Sequence, residues 1–173
     1  MTREQTIVGA GAASGVLAMA ASFAAIFAIW PVTPELIDVS HRLAYAVQAN
    51  AIAILPLLVA VIVVGNNRFL SEAIDPTLHK ESLATQINGR VADNTLQQST
   101  LFVVGTLALS ANLSAPQMRA IPAATVVFVA ARIAFWIGYR IHPLYRAFGM
   151  AATGYLNLGL LVFAVWSIAR GHA

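Results

Sequence analysis

Four stretches of this sequence contain no side chain that is ionised at neutral pH: those between Glu4 and Glu35, Arg42 and Arg68, Asp93 and Arg119, and Arg146 and Arg170. Each exceeds the roughly 20 residues that a helix needs to cross the hydrocarbon of a bilayer. A further stretch, 117–140, is as apolar but is interrupted by Arg132. Together these runs predict five spanning helices, at about 6–30, 44–66, 92–114, 117–140 and 143–169. The composition agrees, with 10% charged residues against about a quarter in an ordinary soluble domain. The first run is longer than the core of a secretory signal, and Glu4 offsets Arg3, so it reads as a retained helix.

The few charges then set the expected sidedness. With five spans, Arg3, Arg68, Lys80, Arg90, Arg140 and Arg146 fall on one side, and Arg42, Arg119 and Arg170 on the other. The positive-inside rule puts the first group, and the N-terminus, in the cytoplasm and the C-terminus outside. The cations are dispersed with no basic run, so the net charge of +3 does not point to nucleic acid. Cysteine is absent, which excludes disulfides, thiolate metal sites and a cysteine nucleophile. Missing cysteines and alanine-rich helices together suggest a bacterial inner membrane.

Several local features predict how the helices meet. GAASG, from Gly11 to Gly15, has the GxxxG spacing that permits close helix approach in lipid, although small residues are common throughout this helix. Pro56 should kink the second span. Asp75-Pro76 marks a turn in the one long hydrophilic stretch, and from about Thr77 the chain could run helically into the third span. Pro143 suits the first turn of the last helix. Asn157, deep in that helix, is expected to bond to a neighbouring helix. No internal repeat or second soluble domain is visible.

The polar residues gather at one end. Arg90, Asn94 and Gln97 fall at i, i+4 and i+7, one face of a helix, and form either an inter-helix zipper or a wall of a ligand site. Arg132, Phe135 and Tyr139, at i, i+3 and i+7, form a similar face on the fourth span. Arg132 would lie roughly 12 Å inside that helix, where an arginine is costly unless it faces the interior and finds a partner. Asp93, Asn94 and Gln97 are the expected partners. Arg68, Arg90, Arg132, Arg140 and Arg146 would together make a cationic concavity suited to an anionic ligand. Plainer roles are open to some of them: Arg140 and Arg146 as determinants of topology, Arg90 and Asp93 as an i,i+3 pair.

Arg90-x-x-x-Asn94 with a polar residue at 97, followed by Arg132, Phe135, Tyr139 and Arg146, resembles the two motifs of the membrane-associated proteins in eicosanoid and glutathione metabolism, which include the microsomal glutathione transferases. The resemblance covers roughly 45–170. It implies an all-α membrane fold, a four-helix bundle at 44–173 preceded by an additional helix and linker at 1–43, assembled as a homotrimer. It also implies a glutathione-dependent transferase or peroxidase that attacks a lipophilic small-molecule substrate arriving through the membrane lipids. On that resemblance Arg90, Asn94, Gln97, Arg132, Tyr139 and Arg140 would bind glutathione as co-substrate. Arg146 would be set against the thiol, with Arg68 a second catalytic arginine. One arginine about 4 Å from the sulfur supplies roughly 4 kcal/mol at an effective dielectric of 20, enough for the roughly 2.7 kcal/mol of a two-unit fall in thiol pKa. Gln97, Gln98 and Phe135 depart from the family pattern, and a non-catalytic lipid binder or scaffold on the same bundle is the alternative.

No metal site is expected, because His41, His79, His142 and His172 are scattered and not spaced with carboxylates.

Overall fold

The computed structural model describes residues 1–170. The helices are α1 (Arg3–Ile29), α2 (Val39–Ala53), α3 (Leu55–Phe69), α4 (Leu83–Asn112), α5 (Ala120–Ile141) and α6 (Ala147–Ala169), with short 3-10 turns at Glu72–Ile74, Pro76–Leu78 and Ala115–Arg119. No strand occurs among the described residues. Four segments are long and apolar enough to cross a membrane: Arg3–Ile29, Val39–Phe69, Ala115–Ile141 and Ala147–Ala169. This is an all-α membrane protein.

α4 is the expected span that falls outside those four, and the reason is which face it buries. Its 30 residues reach about 45 Å, ample for a bilayer. Its buried side chains include Asn88, Thr95, Gln98, Ser99, Thr106 and Ser110, while Leu96, Leu101 and Val104 are exposed. The buried face thus carries polar groups among Val91, Phe102 and Leu109, and the exposed face mixes Leu96, Leu101 and Val104 with Asp93, Gln97 and Thr100, which together lower the helix's average hydropathy. Lipid gives helices little hydrophobic reason to associate, and interhelical hydrogen bonds take on part of that work. Thr106 donates to Asn50 Oδ1 of α2 at 3.0 Å, and Trp136 Nε1 of α5 donates to Asn88 Oδ1 at 2.9 Å. Asn157 Nδ2 of α6 reaches both the carbonyl and the side-chain oxygen of Gln98 at 2.9 Å, the interhelical bond expected of it. Arg42, at the start of α2, donates to the Ser110 and Ala111 carbonyls at 3.1 and 3.4 Å. It thereby places a cation at the negative end of the α4 dipole.

The other elements follow local rules. Thr2 and Gln5 close a capping box on α1. Pro56 lies in the first turn of α3, and its missing N–H breaks the ladder between α2 and α3. The Leu57 and Leu58 amides instead converge on the Ile54 carbonyl, at 3.0 and 3.1 Å. α4 starts at Leu83 and not near Thr77. Asp75 accepts from the Thr77 amide and hydroxyl at 2.9 and 2.6 Å, His79 takes a left-handed φ of 52°, and Ser82 Oγ caps the helix at the Thr85 amide. These bonds, the Thr77 hydroxyl's foremost, hold the Asp75 carboxyl below the usual carboxylate range.

α1 packs along α6 and α5. A Cβ on Gly15 would stand 2.2 Å from the Phe148 carbonyl oxygen, and one on Gly11 3.4 Å from Ala147 Cβ, so the GAASG spacing brings α1 against the backbone of α6. At the far end, Phe102 and Phe128 meet at 4.4 Å within a core that includes Leu109, Ile121, Leu156 and Leu160.

Candidate functional site

Arg132 of α5 is 1% exposed. Its Nη1 donates to Asn94 Oδ1 at 2.8 Å, its Nη2 to the Gly149 carbonyl at 3.0 Å and to Thr153 Oγ1, and its guanidinium lies 4.5 Å over the Phe135 ring. The site depends on a glycine. A Cβ on Gly149 would fall 2.4 Å from Phe135 N and 2.5 Å from Ala131 O, so α5 and α6 cross backbone on backbone there. That crossing brings the Gly149 carbonyl within reach of the arginine. Arg132 faces inward as expected, and of its three expected partners it meets Asn94. Asp93 and Gln97 are exposed.

Next to this network a cavity of about 420 Å³ opens between four helices. α4 contributes Arg90 and Asn94, α5 contributes Phe135 and Tyr139, and the turn into α6 contributes Pro143, Leu144 and Arg146. Val8 of α1 and Ala147 and Met150 of α6 complete the wall. Arg146 Nη1 donates to the Tyr139 hydroxyl at 2.9 Å and its guanidinium sits 5.0 Å from the same ring. Arg90 lines the same cavity from α4. Gly138 makes the tight turn possible, since a Cβ there would lie 2.7 Å from the Tyr145 carbonyl oxygen. Arg146 is also the N-cap of α6, at the positive end of its dipole. Among the described residues the ion pairs are Arg68–Glu81, Lys80–Glu72 and His41–Asp38. Arg90, Arg132 and Arg146 have no carboxylate partner there.

The remaining candidates are placed elsewhere. Arg68 is bound to Glu81 at 2.7 Å in a separate polar cavity of about 380 Å³, together with His79, Gln86 and Asp93. Arg90 borders both cavities, but Arg68 does not join Arg146. Arg140 and Gln97 are exposed and line neither. Of the Arg90, Asn94 and Gln97 stripe, the first two reach the site. The inward face of α4 runs instead through Val91, Thr95, Gln98 and Phe102, so that Asn94 sits half-buried at its margin and Arg90 and Gln97 lie exposed outside it. Arg90 and Asp93 form no ion pair. His142 is exposed and accepts the Leu144 amide at Nδ1, 3.2 Å, within its own turn; His172 lies outside the described residues. Gly149, Thr153 and Val8 escaped sequence reasoning. Thr153 could have been sought as a polar residue on α6 at the depth of Arg132, whereas Val8 and Gly149 carry no polar signal.

Two curated relatives match the chain. Transmembrane protein 79 of Mus musculus is 24% identical over 135 residues, 78% of this chain and 34% of the relative. Transmembrane protein 79 of Bos taurus is 23% identical over 134 residues, 78% of this chain and 33% of the relative. The chain thus spans about a third of the length of the curated relatives it matches. No family model matches it, and no solved structure does.

These matches correct the family expectation. The relatives bear the name of a different protein from those of eicosanoid and glutathione metabolism, and the family model expected from Arg90, Asn94, Arg132, Tyr139 and Arg146 does not match. Short spacings of arginine and aromatic residues record only which side chains share a helix face and do not by themselves specify a family. The glutathione-dependent transferase or peroxidase falls with the family. Glutathione as co-substrate and the homotrimer rested on the same resemblance and lose that support. Both relatives are mammalian, so they lend nothing to a bacterial inner membrane.

Proposed function

We propose that this chain binds the acidic headgroup of a membrane lipid in the cavity between α1, α4, α5 and α6. One observation carries the reading. Two guanidiniums, those of Arg90 and Arg146, line one cavity with Tyr139, whose hydroxyl accepts from Arg146, and no carboxylate joins them among walls that include Val8, Phe135, Leu144 and Met150. Such a site is cationic at its centre and greasy at its sides. A free soluble anion would use the first property and waste the second, whereas a lipid uses both. Arg146 as the N-cap of α6 points the same way. A cation at the positive end of a helix dipole is unfavourable by about 0.3–1 kcal/mol, and an anion bound there reverses the sign for both.

The sidedness of the charges fits. Arg3, Arg68, Lys80, Arg90, Arg140 and Arg146 stand at the site's end of the helices and would face the cytoplasm. The cytoplasmic leaflet is the one whose anionic lipids attract basic residues, by about 1 kcal/mol each. Because the chain has no cysteine, single cysteines placed near residues 3 and 170 would report orientation to an impermeant maleimide without background.

The deciding experiment is native mass spectrometry of the purified protein exchanged into mixtures of phosphatidylglycerol and phosphatidylcholine. The wild type is expected to retain the anionic lipid preferentially. Arg146→Ala and Arg90→Ala should each weaken that retention about tenfold, the loss of one charged hydrogen bond of about 1.5 kcal/mol. Equal retention of the two lipids, unaltered by either substitution, would sink the reading.

A further inference from the structure

At the opposite end of α1 a second cavity, of about 490 Å³, lies between α1, α4 and α6. Its origin is in the sequence of α1. Gly11 and Gly15 bring the helix against the backbone of α6, and Met19, Phe23 and Phe27 then follow at i, i+4 and i+8 as the α1 wall of the cavity. On the facing stretch of α6, Gly159 offers no side chain to fill the gap, and a Cβ added there would meet nothing within 4 Å. The cleft is therefore a slot with an apolar wall on each side.

From Met19 to Phe27 the slot runs about 12 Å at 1.5 Å per residue, close to one leaflet of a hydrocarbon core about 30 Å thick. Its mouth carries a charge. The Arg119 guanidinium lies 4.6 Å over the Phe27 ring, with Nε donating to the Pro116 carbonyl at 3.0 Å. Among the described residues Arg119 has no carboxylate partner. An apolar slot one leaflet deep, with a cation fixed over an aromatic at its rim, matches an acyl chain below an acidic headgroup.

We propose that this cleft holds one acyl chain of an anionic membrane lipid, its headgroup against Arg119. The site is separate from the one at Arg90 and Arg146, in the other leaflet, and stands or falls independently of it.

The test uses the full chain in nanodiscs containing phosphatidylglycerol with a diazirine on its acyl tail, and maps the crosslinks. Labelling is expected within 19–27 and 155–163. Gly159→Leu places a side chain in the open slot and should abolish that labelling, while Gly159→Ala keeps it and Arg146→Ala leaves it unchanged. Tail-labelled phosphatidylcholine should label about fivefold less, as befits one cation near a headgroup, and Arg119→Gln should erase the difference. Excess unlabelled phosphatidylglycerol should compete in the wild type, a readout that needs no variant. Labelling that survives Gly159→Leu, or that no competitor reduces, would overturn the site. Labelling in the cleft with no preference for the acidic lipid would overturn the role of Arg119.

Discussion

At the end that carries Arg90 and Arg146, α5 and α6 cross on Gly149 and are joined by the hydrogen bonds of Arg132 to Asn94, Gly149 and Thr153. At the other end the helices meet through Phe102, Phe128, Leu109 and Leu160, and α1 packs on that core through Met19, Phe23 and Ile26 beside an apolar cleft at Gly159. The same residue type does opposite things at the two ends. Gly149 is filled by its neighbours' backbone, whereas Gly159 faces space. In lipid, where apolar surface gains little from leaving its solvent, tight crossings and directed bonds determine where two helices touch. Where both are missing, the gap is left for something else to fill.

The sharpest way to break that contrast is to give both glycines the same methyl group. In Gly149→Ala the new Cβ would meet three backbone atoms of α5 within 2.6 Å, and backbone cannot rotate away. The expected cost is about 3 kcal/mol, the upper part of the overpacking range, read as a lower melting temperature in detergent by circular dichroism. Gly159→Ala meets nothing and should stabilise by about 0.5–1 kcal/mol through helix propensity alone. Equal effects at the two positions would mean that the ends are packed alike.

Arg132 tests the directed bonds. Arg132→Lys keeps the charge but replaces a planar fork by a compact ammonium whose three donors sit on one atom. A single nitrogen does not reproduce the separate reach of Nη1 to Asn94 and Nη2 to the Gly149 carbonyl, and the stacking on Phe135 is lost. A destabilisation of about 2 kcal/mol follows, the cost of leaving a buried acceptor unsatisfied. A lysine tolerated without loss would mean that charge, and not geometry, holds α4, α5 and α6 together.

Much of the fold was legible because lipid imposes simple rules. Uninterrupted apolar length marked the spans, Pro56 marked the break between α2 and α3, and Asn157 in an apolar helix had to bond to a neighbour. The site was legible in part. A buried cation announces itself, so Arg132 and its partner Asn94 could be named. Its other acceptors could not, because a glycine carbonyl becomes available only through the closeness of two helices, a property of three-dimensional contact. Arg68 shows the opposite failure. As an isolated cation at a helix end it resembled a site residue, and only the fold of the 70–82 loop brings Glu81 onto it. The family resemblance failed for a related reason: spacing alone records which residues share a face, not what that face meets.

Gln97 and Gln98 bring that distinction down to adjacent positions. Gln98 is buried, and its carbonyl and side-chain oxygens both accept from Asn157 Nδ2. Gln97 is exposed on the outer face of α4. Interhelical bonds within membranes are worth about 0.6 kcal/mol on average and at most about 1.7. Gln98→Ala removes the side-chain acceptor but leaves the backbone one, so it should cost about 0.6 kcal/mol. Asn157→Ala removes both bonds and leaves the Gln98 side-chain oxygen without its donor, and should cost about twice as much, near 1.2 kcal/mol. In the double variant the two losses should fall short of additivity by the value of the shared bond. Gln97→Ala should stay within about 0.5 kcal/mol of wild type. If instead Gln97→Ala proved as costly as Asn157→Ala, the outer face of α4 would be covered in the membrane by more than lipid, and its polar outward residues Asp93 and Gln97 would mark where that cover sits.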